Sequence, residues 1–98
     1  MGKLDYECFS EFVKIKNKTG GNIIKIEKAD EAFIFIQEKA GTYFLLRSDE
    51  GGISPIDFDV TDFKINKKEK RIEYFYARGT KALISVNYDG SDKKQMIL

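Results

Sequence analysis

The apolar residues of this chain fall into short runs that glycines separate at fairly even spacing, and this pattern constrains the fold more than any other feature. Apolar residues alternate with other residues over 13–16, 24–27, 72–77 and 82–88, as in strands that bury one face. The runs 33–36 and 43–46 are apolar at every position. Runs of that kind are typical of central strands covered on both sides.

Turn-forming residues separate these runs. Gly20 and Gly21 predict a turn that joins the runs at 13–16 and 24–26 into a hairpin. The only proline, Pro55, lies in the sequence from Glu50 to Pro55, which predicts the longest loop of the chain. A second turn is predicted at residues 89–90, Asp-Gly, before a short final strand at 96–98.

Two segments have apolar residues at helical spacing as well. Residues 3–12, with Leu4 and Cys8 four residues apart, fit a short helix or a strand equally well. Residues 29–40 have a helical pattern too, which Gly41 could end. A strand is favoured there because its Phe-Ile-Phe-Ile run packs well on a pleated surface.

A chain of 98 residues has room for a single core, so residues 1–98 are predicted to form one domain. The predicted fold class is all-β, with one short N-terminal helix as an option, and contains six to eight short strands. A small antiparallel barrel is the first choice because closing the sheet removes exposed edges. A two-layer β-sandwich is the alternative.

The chain contains no histidine and a single cysteine, Cys8. These counts exclude histidine acid–base chemistry, nucleophilic triads with histidine and thiolate zinc sites. The sequence has neither a Gly-rich phosphate loop nor a dinucleotide-binding fingerprint. We therefore predict a protein that is not an enzyme and that has no cofactor or metal, with Cys8 acting as a small buried hydrophobe.

The predicted location is the cytoplasm. A single cysteine gives no intramolecular disulfide, which favours a reducing compartment. The first residues lack the apolar core of a signal peptide, and no apolar run is long enough to span a bilayer, so no membrane association is expected.

Charges are segregated by sign in the middle of the chain. The stretch 48–63 contains no base and five acids, which are Asp49, Glu50, Asp57, Asp59 and Asp62. The stretch 64–71 contains one acid and five bases, which are Lys64, Lys67, Lys68, Lys70 and Arg71. A solvated hairpin tip beside an acidic loop would have this pattern without any binding role. The acids at 57, 59 and 62 are close in sequence but lack the spacing of a calcium-binding loop.

The predicted function is that of a non-enzymatic module of the inhibitor, immunity or accessory type. It would bind another protein through the five acids, with exposed tyrosines as anchors. The alternative is a nucleic-acid-binding small barrel, in which the five bases contact phosphates while Tyr74, Phe75 or Tyr76 stacks on bases. Most of those aromatics are expected in the core, and the acidic stretch would repel phosphate, so a protein partner is favoured. A ligand pocket inside a barrel ranks third because the interior is small.

Overall fold

The computed structural model describes residues 6–79 and 81–97. One helix, α1 (Tyr6–Thr19), precedes eight strands: β1 (Asn22–Ala29), β2 (Ala32–Lys39), β3 (Thr42–Asp49), β4 (Gly52–Phe58), β5 (Phe63–Asn66), β6 (Arg71–Tyr74), β7 (Ala82–Asn87) and β8 (Lys94–Ile97). Strands β1 to β4 form one antiparallel sheet in sequence order, sheet 1, and β5 to β8 form another, sheet 2. The predicted mostly-β fold with one short helix is confirmed.

The two sheets share one apolar core. Sheet 1 contributes Ile34, Ile36 and Leu45 to it, and sheet 2 contributes Ile72 and Ile84, all with no accessible surface. Burying each such side chain stabilises the fold by about 1.5–3 kcal/mol before the cost of ordering the chain. The strands are divided between two hydrogen-bonded ladders, so the fold is a small sandwich-like or barrel-like domain.

Helix α1 packs on the outer face of sheet 1. Ile15 on the helix is buried, and the Ser48 hydroxyl on β3 donates a hydrogen bond to the Glu11 carboxylate at 2.8 Å. Near the end of the helix, the side-chain amide of Gln37 on β2 donates to the Thr19 hydroxyl. Strand β2 is therefore covered on both faces, as its unbroken apolar run predicted. The predicted burial of Cys8 is also confirmed.

The predicted strand at residues 13–16 is wrong, because these residues belong to α1. Helical spacing places Cys8, Ile15 and Thr19 on the covered face, and Val13, four residues from Phe9, lies on an exposed one. Gly20 then ends the helix rather than turning a hairpin, since it has a φ of 74° and its N–H donates to the Lys16 carbonyl at 2.9 Å. The helical alternative for residues 3–12 holds from residue 6 onward, and Leu4 lies outside the described residues.

The predicted long loop at residues 50–55 is wrong as well. Glu50 and Gly51 form a tight turn, and Gly52 already pairs with Asp49 across β3 and β4. Pro55 lies inside β4, which is an edge strand, and edge strands are where sheets tolerate the missing N–H of proline.

Asp59 forms the corner between the two sheets. Its φ of 65° ends the extended run at Phe58. The Asp59 N–H donates to the Tyr43 carbonyl at 2.7 Å, and its carbonyl accepts from the Ala77 N–H at 2.7 Å. One residue thus hydrogen-bonds to sheet 1 and to the segment that follows β6.

The remaining strand predictions are confirmed in outline. Residues 29–40 contain β2 rather than a helix, and the turn at Asp89 and Gly90 connects β7 to β8. The last strand begins at Lys94, and residue 98 lies outside the described residues. Within the described part of the chain, α1 is too short and too polar to cross a bilayer.

Candidate functional site

The five acids of the predicted protein-binding set do not form one surface. Asp49 and Glu50 lie at the turn between β3 and β4, whereas Asp59 and Asp62 follow the far end of β4. Strand β4 has seven residues, so about 20 Å separates the two groups. The fifth acid, Asp57, pairs in register with the core residue Leu45, and its side chain therefore points between the sheets.

Three of the surface acids are paired with nearby cations. Asp49 contacts the Arg47 guanidinium at 2.9 Å, Asp62 contacts the Lys25 ammonium at 2.8 Å, and Asp59 lies 3.5 Å from Arg78. Hydrogen bonds from Arg47 and from the Gly51 N–H hold the pKa of Asp49 below its ordinary value. The Lys25 hydrogen bond lowers the pKa of Asp62 in the same way. Local cations thus offset much of the predicted negative surface.

Asp57 is the centre of a polar cluster between the sheets. Its side chain is 8 % exposed, and one of its oxygens, Oδ2, accepts hydrogen bonds from the Tyr74 and Tyr76 hydroxyls at 2.7 Å each. The Lys93 ammonium lies 3.0 Å from the same oxygen, and the Phe58 N–H donates to Oδ1 at 2.9 Å. The carboxylate therefore links an edge of sheet 1 to two segments of sheet 2.

The pKa values in this cluster follow from burial and hydrogen bonding. Burial alone would raise the pKa of Asp57, but the hydrogen bonds from Tyr76, Tyr74, Lys93 and the Phe58 N–H outweigh it and the net pKa is lowered. Burial and the neighbouring carboxylate raise the pKa of Tyr74. The hydrogen bond to Tyr76, and then that to Asp57, raises the pKa of Lys93 against the effect of burial. The cluster therefore keeps its charges at neutral pH and acts as a structural link.

The five bases of the predicted nucleic-acid-binding set also separate. Lys67 and Lys68 are exposed at the turn between β5 and β6, and Lys70 contacts the Asp30 carboxylate at 3.0 Å. Arg71 is 14 % exposed and its guanidinium is occupied by Ser85, Asn87 and Asp92. Lys64 lies on the outer face of sheet 2, opposite Glu73.

The three aromatic residues at 74–76, of which Tyr74 ends β6, divide between the two faces of sheet 2. Tyr74 is in the core, as most of these aromatics were expected to be, and Tyr76 is half-buried against it. Phe75 is 45 % exposed. It lies on the outer face, with Lys64 and Glu73.

The outer face of sheet 2 presents exposed apolar side chains, and we call it the open face (Lys64, Glu73, Phe75, Leu83 and Met96). It contains a groove of about 240 Å³, lined by Thr61, Asp62, Phe63, Lys64, Glu73, Tyr74, Phe75 and Leu83. Leu83 pairs across β7 and β8 with Met96, which is 61 % exposed. Among the described residues no helix lies on this face, whereas α1 lies on the outer face of sheet 1.

The sequence contains one indication of the open face, which is hard to recognise within the alternation of the predicted strands. Phe75, directly after β6, and Leu83 on β7 are out of phase with the core residues Tyr74 and Ile84, so apolar residues stand on both faces of sheet 2. That signal does not say which face is covered. The described residues include no group of three or more acidic or cysteine side chains placed to hold a metal ion.

Comparisons with protein-family models, with curated proteins and with solved structures found no match to this chain.

Proposed function

We propose that this protein is a non-enzymatic interaction module that binds another protein through the open face. The observation that carries the proposal is the difference between the two outer faces, since α1 packs on sheet 1 while no helix of the described residues packs on sheet 2, where Phe75 and Met96 stand exposed. Exposed apolar surface of this kind is typical of interaction sites, and aromatic residues and methionine are enriched in them.

The charges around the groove define the partner that it would accept. Lys64 and Glu73 face each other across β5 and β6, and Asp62 lines the groove beside them. Of the five acids predicted to bind protein, Asp62 is therefore the one placed to contribute. A complementary partner presents an apolar side chain to Phe75 and Leu83, with a base and an acid on either side to meet these charges.

This mode of action is that of inhibitor, immunity and accessory proteins, which act by covering a surface of their partner. The single cysteine supports placing the module in the cytoplasm. The absence of histidine supports a role in contact rather than in catalysis.

Replacing Phe75 with serine is expected to weaken partner binding by at least about tenfold, because the buried aromatic surface is lost. Phe58→Ser is the matched control, since Phe58 is 62 % exposed but lies on β4 of sheet 1. Immobilised wild type and both variants would be used to capture proteins from host lysate, with quantification by mass spectrometry. A partner retained by wild type and F58S but lost by F75S supports the proposal. Capture that F75S leaves unchanged contradicts it.

Nucleic-acid binding is the second candidate, and one observation favours it. Lys64 lines the same groove as Phe75, which could stack on a base while the exposed Lys67 and Lys68 contact phosphates. Replacing the three lysines with alanine is expected to abolish a salt-sensitive mobility shift on single-stranded nucleic acid. The absence of a shift with wild type at low salt would eliminate this candidate.

A further inference from the structure

Three of the four sheet edges carry features that hinder pairing with another strand. The register of β1 shifts between Ile23 and Lys25, which marks a bulge. Strand β4 contains Pro55, and its register against β3 shifts between Leu45 and Leu46. On β5 the Lys25 ammonium donates a hydrogen bond to the Phe63 carbonyl. Bulges, prolines and lysines placed on an edge are the means by which proteins prevent edge-to-edge association.

Strand β8 is the fourth edge, and its described residues carry none of these obstacles except Lys94 at the start. Its register against β7 is regular from Lys94 to Ile97, and all four residues are exposed. Met96 extends from the outer face, and Ile97, 70 % exposed, extends from the inner one. The strand thus combines a regular backbone edge with large apolar side chains on both faces.

We propose that β8 pairs antiparallel with β8 of a second copy of this chain, which joins two copies of sheet 2 into one eight-stranded sheet. The edge of an antiparallel strand is complementary to itself under a two-fold axis, because each free N–H then meets a free carbonyl of the other copy. A copy paired through its own β8 keeps the two Lys94 side chains apart, and each ammonium lies 3.8 Å from the Asp92 carboxylate of its own chain. This inference does not rest on the proposed function.

Side-chain matching selects the register. Residues opposite each other must point to the same face, so Met96 can oppose Met96 of the other copy while Gln95 opposes Ile97. This register buries the two methionines together on the outer face and covers Ile97 on the inner one. It also extends the open face across the two-fold axis, since Met96 adjoins Leu83.

Sedimentation velocity of the purified protein over a wide concentration range tests the pairing. Wild type is expected to shift with concentration from 11.3 kDa toward twice that mass. Met96→Lys is expected to weaken association by at least about tenfold, since it removes buried apolar surface and places two ammonium groups opposite each other. Phe58→Lys, on the β4 edge, should leave the association unchanged, and circular dichroism should show that both variants are folded.

Cross-linking tests the register separately. Oxidation of Met96→Cys should give a covalent dimer, because opposed side chains in this register are within reach of a disulfide. Lys68→Cys, at the exposed turn, should remain monomeric under the same conditions. Wild type that stays at 11.3 kDa throughout, or M96K that associates as well as wild type, overturns the inference. F75S should dimerise like wild type, so a failure of the proposed function can be distinguished from a failure of the pairing.

Discussion

Asp57→Ala is expected to lower the free energy of unfolding by about 3 kcal/mol. The change removes the acceptor that two tyrosine hydroxyls and the Lys93 ammonium share between the sheets. Tyr74 suffers most, because it lies in the core and its hydroxyl would be left without this hydrogen bond. Lys93 is half-exposed and can turn to water, which is why the loss stays below that for a fully buried ion pair.

Denaturant unfolding of three variants measures this effect. Asp57→Asn keeps an acceptor oxygen and loses the charge, so we expect its free energy of unfolding to lie between those of wild type and D57A. Asp59→Asn is the control two residues away, and its loss should stay within about 0.5 kcal/mol, since asparagine tolerates the positive φ and the Arg78 contact is long. A loss below about 1 kcal/mol for D57A would show that the cluster does not hold the sheets together.

The same cluster makes the free energy of unfolding depend on pH. The folded protein lowers the pKa of Asp57, so the carboxylate contributes its full stabilisation above the ordinary pKa of about 3.9. That contribution is lost as the pH falls through the lower pKa of the folded state. Wild type should therefore lose its advantage over D57N on acidification, and the two should converge in stability once the pH lies below the lowered pKa of Asp57. A constant difference between them at every pH would contradict the assignment.

The position of the Asp57 side chain between the sheets could not be predicted from the sequence. Asp57 and Asp59 have the same spacing pattern in the sequence, and both were predicted to face a partner. Their difference depends on the pairing of Asp57 with Leu45, twelve residues earlier in the chain, and on the left-handed backbone of Asp59. Neither feature is encoded in local residue types, since the preference of aspartate for turns and left-handed positions applies to both residues and does not distinguish them.

Strands β1 to β3 of sheet 1 could be predicted because their signals are local. The unbroken apolar run of β2 and the turn at residues 40–41 predict a covered strand whatever the remainder of the chain does. The strand prediction at Val13 and Ile15 was wrong because an alternation over four residues also fits part of a helical pattern. Only Cys8 and Thr19, one to two turns away, indicate the helix. The open face could not be predicted, since it depends on which sheet α1 covers.

Arg71→Lys is expected to lower the free energy of unfolding by about 2 kcal/mol although the charge is kept. The guanidinium donates to the Ser85 hydroxyl at 2.6 Å, to the Ser85 carbonyl at 2.9 Å and to the Asn87 amide oxygen at 2.8 Å. It also donates to the carbonyl and the carboxylate of Asp92, at 2.7 and 3.1 Å. A planar fork with five donors fits this arrangement, whereas an ammonium is a point charge with three.

Because of where these acceptors lie, the loss of stability in R71K is expected to be concentrated in one part of the fold. Ser85 and Asn87 belong to β7, and Asp92 lies just before β8, so Arg71 attaches the segment between them to β6. Hydrogen exchange of the amides at residues 88–93 should therefore accelerate in R71K, while the exchange of β2 changes only by the global loss. Lys68→Ala, three residues away at the exposed turn, should change stability by less than about 0.5 kcal/mol. If R71K matches K68A in both measurements, Arg71 is a surface charge available to a ligand, as the sequence alone predicted.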